Sequence, residues 1–144
     1  MRNFEEFEEK LGYSFKTPEL LQMALTHRSY INESRTRDGK HNERLEFLGD
    51  AVLELITTEF LYAKYPNKPE GDLTSYRSGL VNTSTLATVS LELGVNDFLL
   101  LSKGESKDTG RARQYILANA FEAIVGALYI DGGYDTAQKF VAKY

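Results

Sequence analysis

At about 100° per residue, Leu45, Phe47, Leu48, Ala51, Val52, Leu53, Leu55, Ile56, Phe60 and Leu61 cover nearly the whole circumference of a helix running from Asn42 to Tyr65. A helix apolar all round belongs in the interior, so this segment is predicted to be a buried central helix. Tyr65 precedes Pro66, and the residue before proline is pushed out of helical geometry, which should end the helix there. A second stretch, from Arg111 to about Ile130, is apolar in the same way. The remaining segments carry one apolar stripe each. Asn3 can cap a helix through Lys10 with Phe4, Phe7 and Leu11 inward, closed by Gly12 in left-handed geometry. Thr17 and Pro18 restart a helix with Leu20, Leu21, Ala24 and Leu25 inward. THRSY, from Thr26 to Tyr30, closes that helix, and the polar segment from Ile31 to Lys40 reads as a loop.

Beyond the central helix, Glu70, Asp72 and LTSYRSGLV spell a helix with Leu73, Tyr76, Leu80 and Val81 at three-to-four spacing. Asn82 to Ser84 cap another, which Gly94 terminates. Val95 to Leu101 is too short for periodicity to decide between strand and helical turn, and Ser102 to Gly110 reads as a loop. After Gly132 and Gly133 a last amphipathic helix has Ala137, Phe140 and Val141 inward. The expectation is an all-α single domain over residues 1–144, with about seven helices around the central one and no sheet.

Charged residues break the apolar pattern in two places. Glu43, Glu46, Asp50 and Glu54 follow one another at i, i+3, i+7 and i+11, a spacing that stacks side chains along one helical face. Stacked like charges repel, and each buried carboxylate loses hydration, so protonation, cations, water or a metal must compensate. Glu54 and Glu43, nearer the ends, also read as solvated positions. Gly49 sits inside this helix, where it costs about 1 kcal/mol relative to alanine, which suggests close approach of another backbone or a ligand. In YILANAFEAIVGALYI the strongly polar side chains are Asn119 and Glu122, three apart and on one face. Either residue alone reads equally as a polar group hydrogen-bonded within the core. If the two apolar helices cross, Glu46, Asp50, Asn119 and Glu122 converge as an all-oxygen cluster suited to Mg²⁺ or Mn²⁺ rather than zinc.

Composition narrows the classes. The absence of cysteine excludes disulfides, thiolate zinc sites and cysteine nucleophiles, and suits a reducing, cytoplasmic location. The acidic start is no signal peptide, and the run from Tyr115 to Ile130 is too short to span a bilayer, so no membrane association is expected. The net charge of −4 argues against nucleic acid, but two segments are locally basic. One holds Arg28, Arg35, Arg37 and Lys40, the other Lys107, Arg111 and Arg113.

HNERLEFLGDAVLEL, from His41 to Leu55, resembles the signature of the ribonuclease III family. The similarity continues through LTHRSY, EGDLTSYRSGLVN, the KGE of Lys103 to Glu105 and ILANAFEAIVGALYID, in the expected order. The resemblance implies a helical endonuclease domain that forms a homodimer and hydrolyses double-stranded RNA with Mg²⁺, each site cutting one strand, without an organic cofactor. The products would carry 5′-phosphate and 3′-hydroxyl ends. It places the catalytic and metal-binding carboxylates at Glu46, Asp50 and Glu122, a supporting glutamate at Glu43 and an interface aromatic at Phe47. Asn119 stands where the family pattern has aspartate, which makes an impaired or non-catalytic RNA-binding module the alternative. Bacterial members continue into a double-stranded RNA-binding domain, and this chain ends at Tyr144, where that connection would begin. Groove contacts are expected from Arg28, Arg35, Arg37, Lys40, Lys107, Arg111 and Arg113. His27 and Ser29 border the site or bond locally.

Overall fold

A computed structural model describes residues 4–34 and 40–144. Asn3, Arg35, Arg37 and Gly39 lie outside the described residues. Among the described residues eight α-helices follow in order: α1 Phe4–Leu11, α2 Pro18–Ala24, α3 Arg28–Ser34, α4 Glu43–Lys64, α5 Glu70–Leu80, α6 Thr83–Leu93, α7 Lys103–Lys107 and α8 Arg111–Ala142. A single 3₁₀ turn, Val95–Asp97, separates α6 from α7, and no strand forms among the described residues beyond one Thr26–Leu100 bridge.

The punctuation follows the sequence. Gly12 at φ 74° and Gly94 at φ 87° take the left-handed turn that ends α1 and α6. Pro18 opens α2, and the Asn82 side chain accepts the Thr85 N–H at the start of α6. Two segments read as loops are partly helical. THRSY does not close α2, which ends at Ala24; Arg28 opens a separate α3 that runs into the expected loop as far as Ser34, and Ser102 caps α7 by accepting the Glu105 N–H at 3.1 Å. Both helices are short and gain their order from tertiary contacts rather than from an apolar stripe.

The centre of the fold is α8, not α4. From Ile116 to Leu128 nearly every side chain of α8 is buried, and Phe121, Ile124, Val125 and Leu128 are among the largest fully enclosed ones. Its length and apolar content equal those of a membrane span, but α4 and α6 pack on it and most of that stretch is enclosed by the domain itself. Gly133, at φ 83°, breaks the helix before its final amphipathic part. The expectation that α4 is buried on all sides is corrected. Leu45, Gly49, Val52, Leu53, Ile56 and Leu61 are buried against the core, while Phe47, Ala51, Leu55 and Tyr62 form a solvent-facing stripe. Likewise α5 buries no side chain, because it touches the fold mainly along α4.

Helices α4 and α8 cross in backbone contact. A Cβ placed on Gly49 would lie deep inside the contact distance of the Glu122 carbonyl oxygen and 2.9 Å from the Gly126 nitrogen. One placed on Gly126 would lie 3.1 Å from the Gly49 nitrogen. Two glycines thus let the backbones touch, which fixes the register of Glu46 and Asp50 against Glu122. The start of α4 is held separately. The Asn42 side chain, buried, donates to the Ala24 carbonyl at 3.1 Å, and its backbone N–H donates to Thr26 O at 3.0 Å.

A candidate active site between the two core helices

One cleft of about 690 Å³ lies where the first turns of α4 pass the middle of α8. Glu43, Glu46 and Asp50 enter it from α4, Asn119 and Glu122 from α8, and His27 and Arg28 from the segment that opens α3. The four residues expected to converge therefore share one cleft, and Glu43 joins them. Glu54 does not, since it is turned to solvent and paired with Arg77 at 3.6 Å.

The electrostatics of the cleft are those of crowded acids. Burial, then a hydrogen bond with Asp50, then the charges of Asp50 and Glu46 push Glu122 up to about 9. Burial and the neighbouring acids thus favour the protonated form of the Glu122 carboxyl beside Asp50. Burial, followed by the negative charges of Glu43 and Asp50, also raises Glu46 above the ordinary carboxylate range. Among the described residues, Arg28 pairs with Glu43 at 3.5 Å, exposed, where such a pair adds little.

The donor set fits a hard divalent cation. Three carboxylates and one amide oxygen face a shared space, and a cation would offset both the lost hydration and the mutual repulsion of these acids. Among the described residues no three acidic, histidine or cysteine side chains already close around a common point.

The basic residues divide. Lys40, Lys107 and Arg111 are exposed, and so is Arg28. Arg113 is corrected from a groove contact to an internal tie. It is buried at 8% exposure and donates to Asn96 Oδ1 at 2.7 Å and to the Glu105 carbonyl at 2.8 Å, fastening α7 and the 3₁₀ turn to the start of α8. Arg35 and Arg37 fall outside the described residues. Phe47 is 83% exposed at the rim of the cleft, so a core role for this aromatic is ruled out.

Two residues that shape the site escaped sequence reasoning. Gly126 carried the same signal as Gly49, a glycine inside an apolar helix, and could have been found by it. Asn42 carried none, because its partner is a backbone carbonyl 18 residues earlier.

Residues 17–144 match the family described as Ribonuclease-III-like. Ribonuclease 3 of Bdellovibrio bacteriovorus is 48% identical over 136 residues, covering 94% of this chain, and Ribonuclease 3 of Bacillus velezensis is 48% identical over the whole chain. In both cases the chain spans 58% of the relative's length. Among solved structures, the nuclease domain of ribonuclease III from Campylobacter jejuni superposes with a TM-score of 0.89 at 40% identity, covering 98% of this chain and 94% of that one. That structure is described for flexibility in a region involved in dimer formation. Dicer from Pichia stipitis superposes with a TM-score of 0.64 at 33% identity, over 89% of this chain and 53% of that one.

Proposed function

Since the chain belongs to the ribonuclease III family, we propose that it is a Mg²⁺-dependent endoribonuclease that hydrolyses phosphodiester bonds of double-stranded RNA, leaving 5′-phosphate and 3′-hydroxyl ends. The observation that carries this is the meeting of Glu46 and Asp50 with Glu122 in one cleft, where burial first and the neighbouring acids second push Glu122 up to about 9. Glu46, Asp50 and Glu122 would hold the cation, with Asn119 offering a neutral carbonyl oxygen; Mn²⁺ would meet the same requirements. When bound, the ion supplies Lewis-acid charge and a water of lowered pKa. Glu43, tethered by Arg28, keeps the mouth of the cleft acidic without competing for the innermost position.

The substrate is read by shape. A duplex of RNA displays ribose hydroxyls and phosphates across its shallow groove, and Arg28, Lys40, Lys107 and Arg111 are exposed cations able to meet them. The stripe of Phe47, Ala51, Leu55 and Tyr62 along α4 is too apolar for an open surface and supports a homodimer in which each subunit cuts one strand.

The test is cleavage of a perfect RNA duplex by the purified protein. Strand scission that requires Mg²⁺ and is lost in Glu122→Gln supports the proposal, and binding without scission even with Mn²⁺ overturns it. Asn119 favours a second outcome in that assay. With one acidic charge replaced by an amide, duplex binding without cutting, restored to cutting by Asn119→Asp, would identify a binding module on the nuclease fold.

A further inference from the structure

His27 stands on the wall of the acidic cleft, and its partners fix which ring nitrogen carries the proton. Its Nδ1 accepts the Ser29 backbone N–H at 3.1 Å and lies 2.8 Å from Ser29 Oγ. A backbone N–H can only donate, so Nδ1 must present its lone pair. Ser29 Oγ itself accepts the Ser102 backbone N–H at 3.0 Å, which leaves its hydroxyl hydrogen to point at the same ring nitrogen. The imidazole is therefore the neutral Nε2–H tautomer.

The mounting is stiff on both sides. The His27 backbone N–H donates to Leu100 O at 3.0 Å, and Ser102 also caps α7 through the Glu105 N–H. Burial holds the ring below its ordinary pKa, against the raising charges of Glu105 on α7 and Glu43 on α4 and alongside the lowering charges of Arg28 and His41. A cation in this position would pair with the cleft acids, as Arg28 does with Glu43. A neutral donor keeps its hydrogen for another acceptor, and among the described residues Nε2 has no protein partner.

We infer that His27 is a substrate-binding residue, a fixed and uncharged Nε2–H that donates to a backbone oxygen of RNA lying in the cleft, with Ser29 as the residue that positions it. This rests on the nuclease reading of the cleft. It assigns the local bonding of His27 a purpose beyond closing a turn.

Two measurements test it. Long-range proton–nitrogen correlation spectra of ring-labelled protein should show Nδ1 as an unprotonated acceptor and Nε2 as protonated at neutral pH. Binding of a short RNA duplex should be measured in the non-cleaving Glu122→Gln background. There His27→Ala is expected to raise Kd about ten- to a hundredfold, the worth of one hydrogen bond to a charged acceptor. His27→Gln, whose amide can donate from the same place, should recover part of that loss, and Ser29→Ala should weaken binding less than His27→Ala while altering the Nδ1 signal. A protonated Nδ1, or unchanged duplex affinity in His27→Ala, overturns the inference. If His27→Ala melts early, His27→Gln with a normal melting temperature decides: binding no better than in His27→Ala would also overturn it. Failure of the wild-type protein to cut or bind duplex RNA would instead remove the nuclease reading and leave the tautomer result standing.

Discussion

Replacing Gly49 by alanine tests how the site is assembled. In an exposed helix the change should stabilise by about 1 kcal/mol, because alanine is the better helix former. Here the new methyl carbon would sit 2.6 Å from the Glu122 carbonyl carbon and 2.9 Å from the Gly126 nitrogen, where unstrained carbon contacts need about 3.5–4.0 Å. The obstacles are backbone atoms of a buried helix, so α4 and α8 must separate by about 1 Å rather than a side chain turning aside. Overpacking of this kind costs about 1–3 kcal/mol, and an unyielding neighbour places Gly49→Ala at or beyond the upper end, outweighing the helix-propensity gain. Because the same crossing sets Glu46 and Asp50 against Glu122, a shift of that size should also lower cleavage about a hundredfold. Urea unfolding followed by circular dichroism measures the first effect, with Gly79→Ala as control, since nothing lies within 4 Å of a Cβ there. Gly49→Ala as stable as the wild type, or stabilised as much as Gly79→Ala, would refute the reasoning.

Further outcomes follow from the same geometry. Glu122 binds its proton more tightly folded than unfolded, where its ordinary value is 4.5, so it should make stability fall as pH rises from there to about 9. Thermal melts should show that decline flattened in Glu122→Gln, and Mg²⁺ at pH 8 should raise the melting temperature of the wild type but not of the variant. Arg113→Ala should destabilise by about 2–3 kcal/mol in urea unfolding, since it removes two charge-assisted hydrogen bonds from a buried position. Lys107→Ala and Arg111→Ala should leave melting unchanged but each reduce the salt dependence of duplex binding by about one phosphate contact. Phe47→Ala should shift sedimentation toward monomer.

The chain announced most of its helices through glycine and proline placement and the rhythm of apolar positions. Pro18, Pro66, Asn82 and Gly94 each mark a boundary that the structure keeps. What failed was the inference from an apolar circumference to burial on every side. Phe47, Leu55 and Phe60 read as core because a sequence does not reveal which apolar face lacks a neighbour. The short helices α3 and α7 were invisible for the opposite reason, being held by long-range contacts such as Ser102 to Ser29 and Arg113 to Glu105 rather than by local periodicity. The acidic site was legible because a carboxylate inside an apolar helix is costly enough to stand out, and doing so twice pointed to a crossing. Arg113 was misread since burial of a cation leaves no trace in composition.

A crystal soaked in Mn²⁺ and measured at the manganese absorption edge bears most directly on the acidic cleft. The account predicts an anomalous peak bounded by Glu46, Asp50 and Glu122, with carboxylate oxygens about 2.0–2.3 Å away. A cleft without a peak at saturating Mn²⁺ would contradict it.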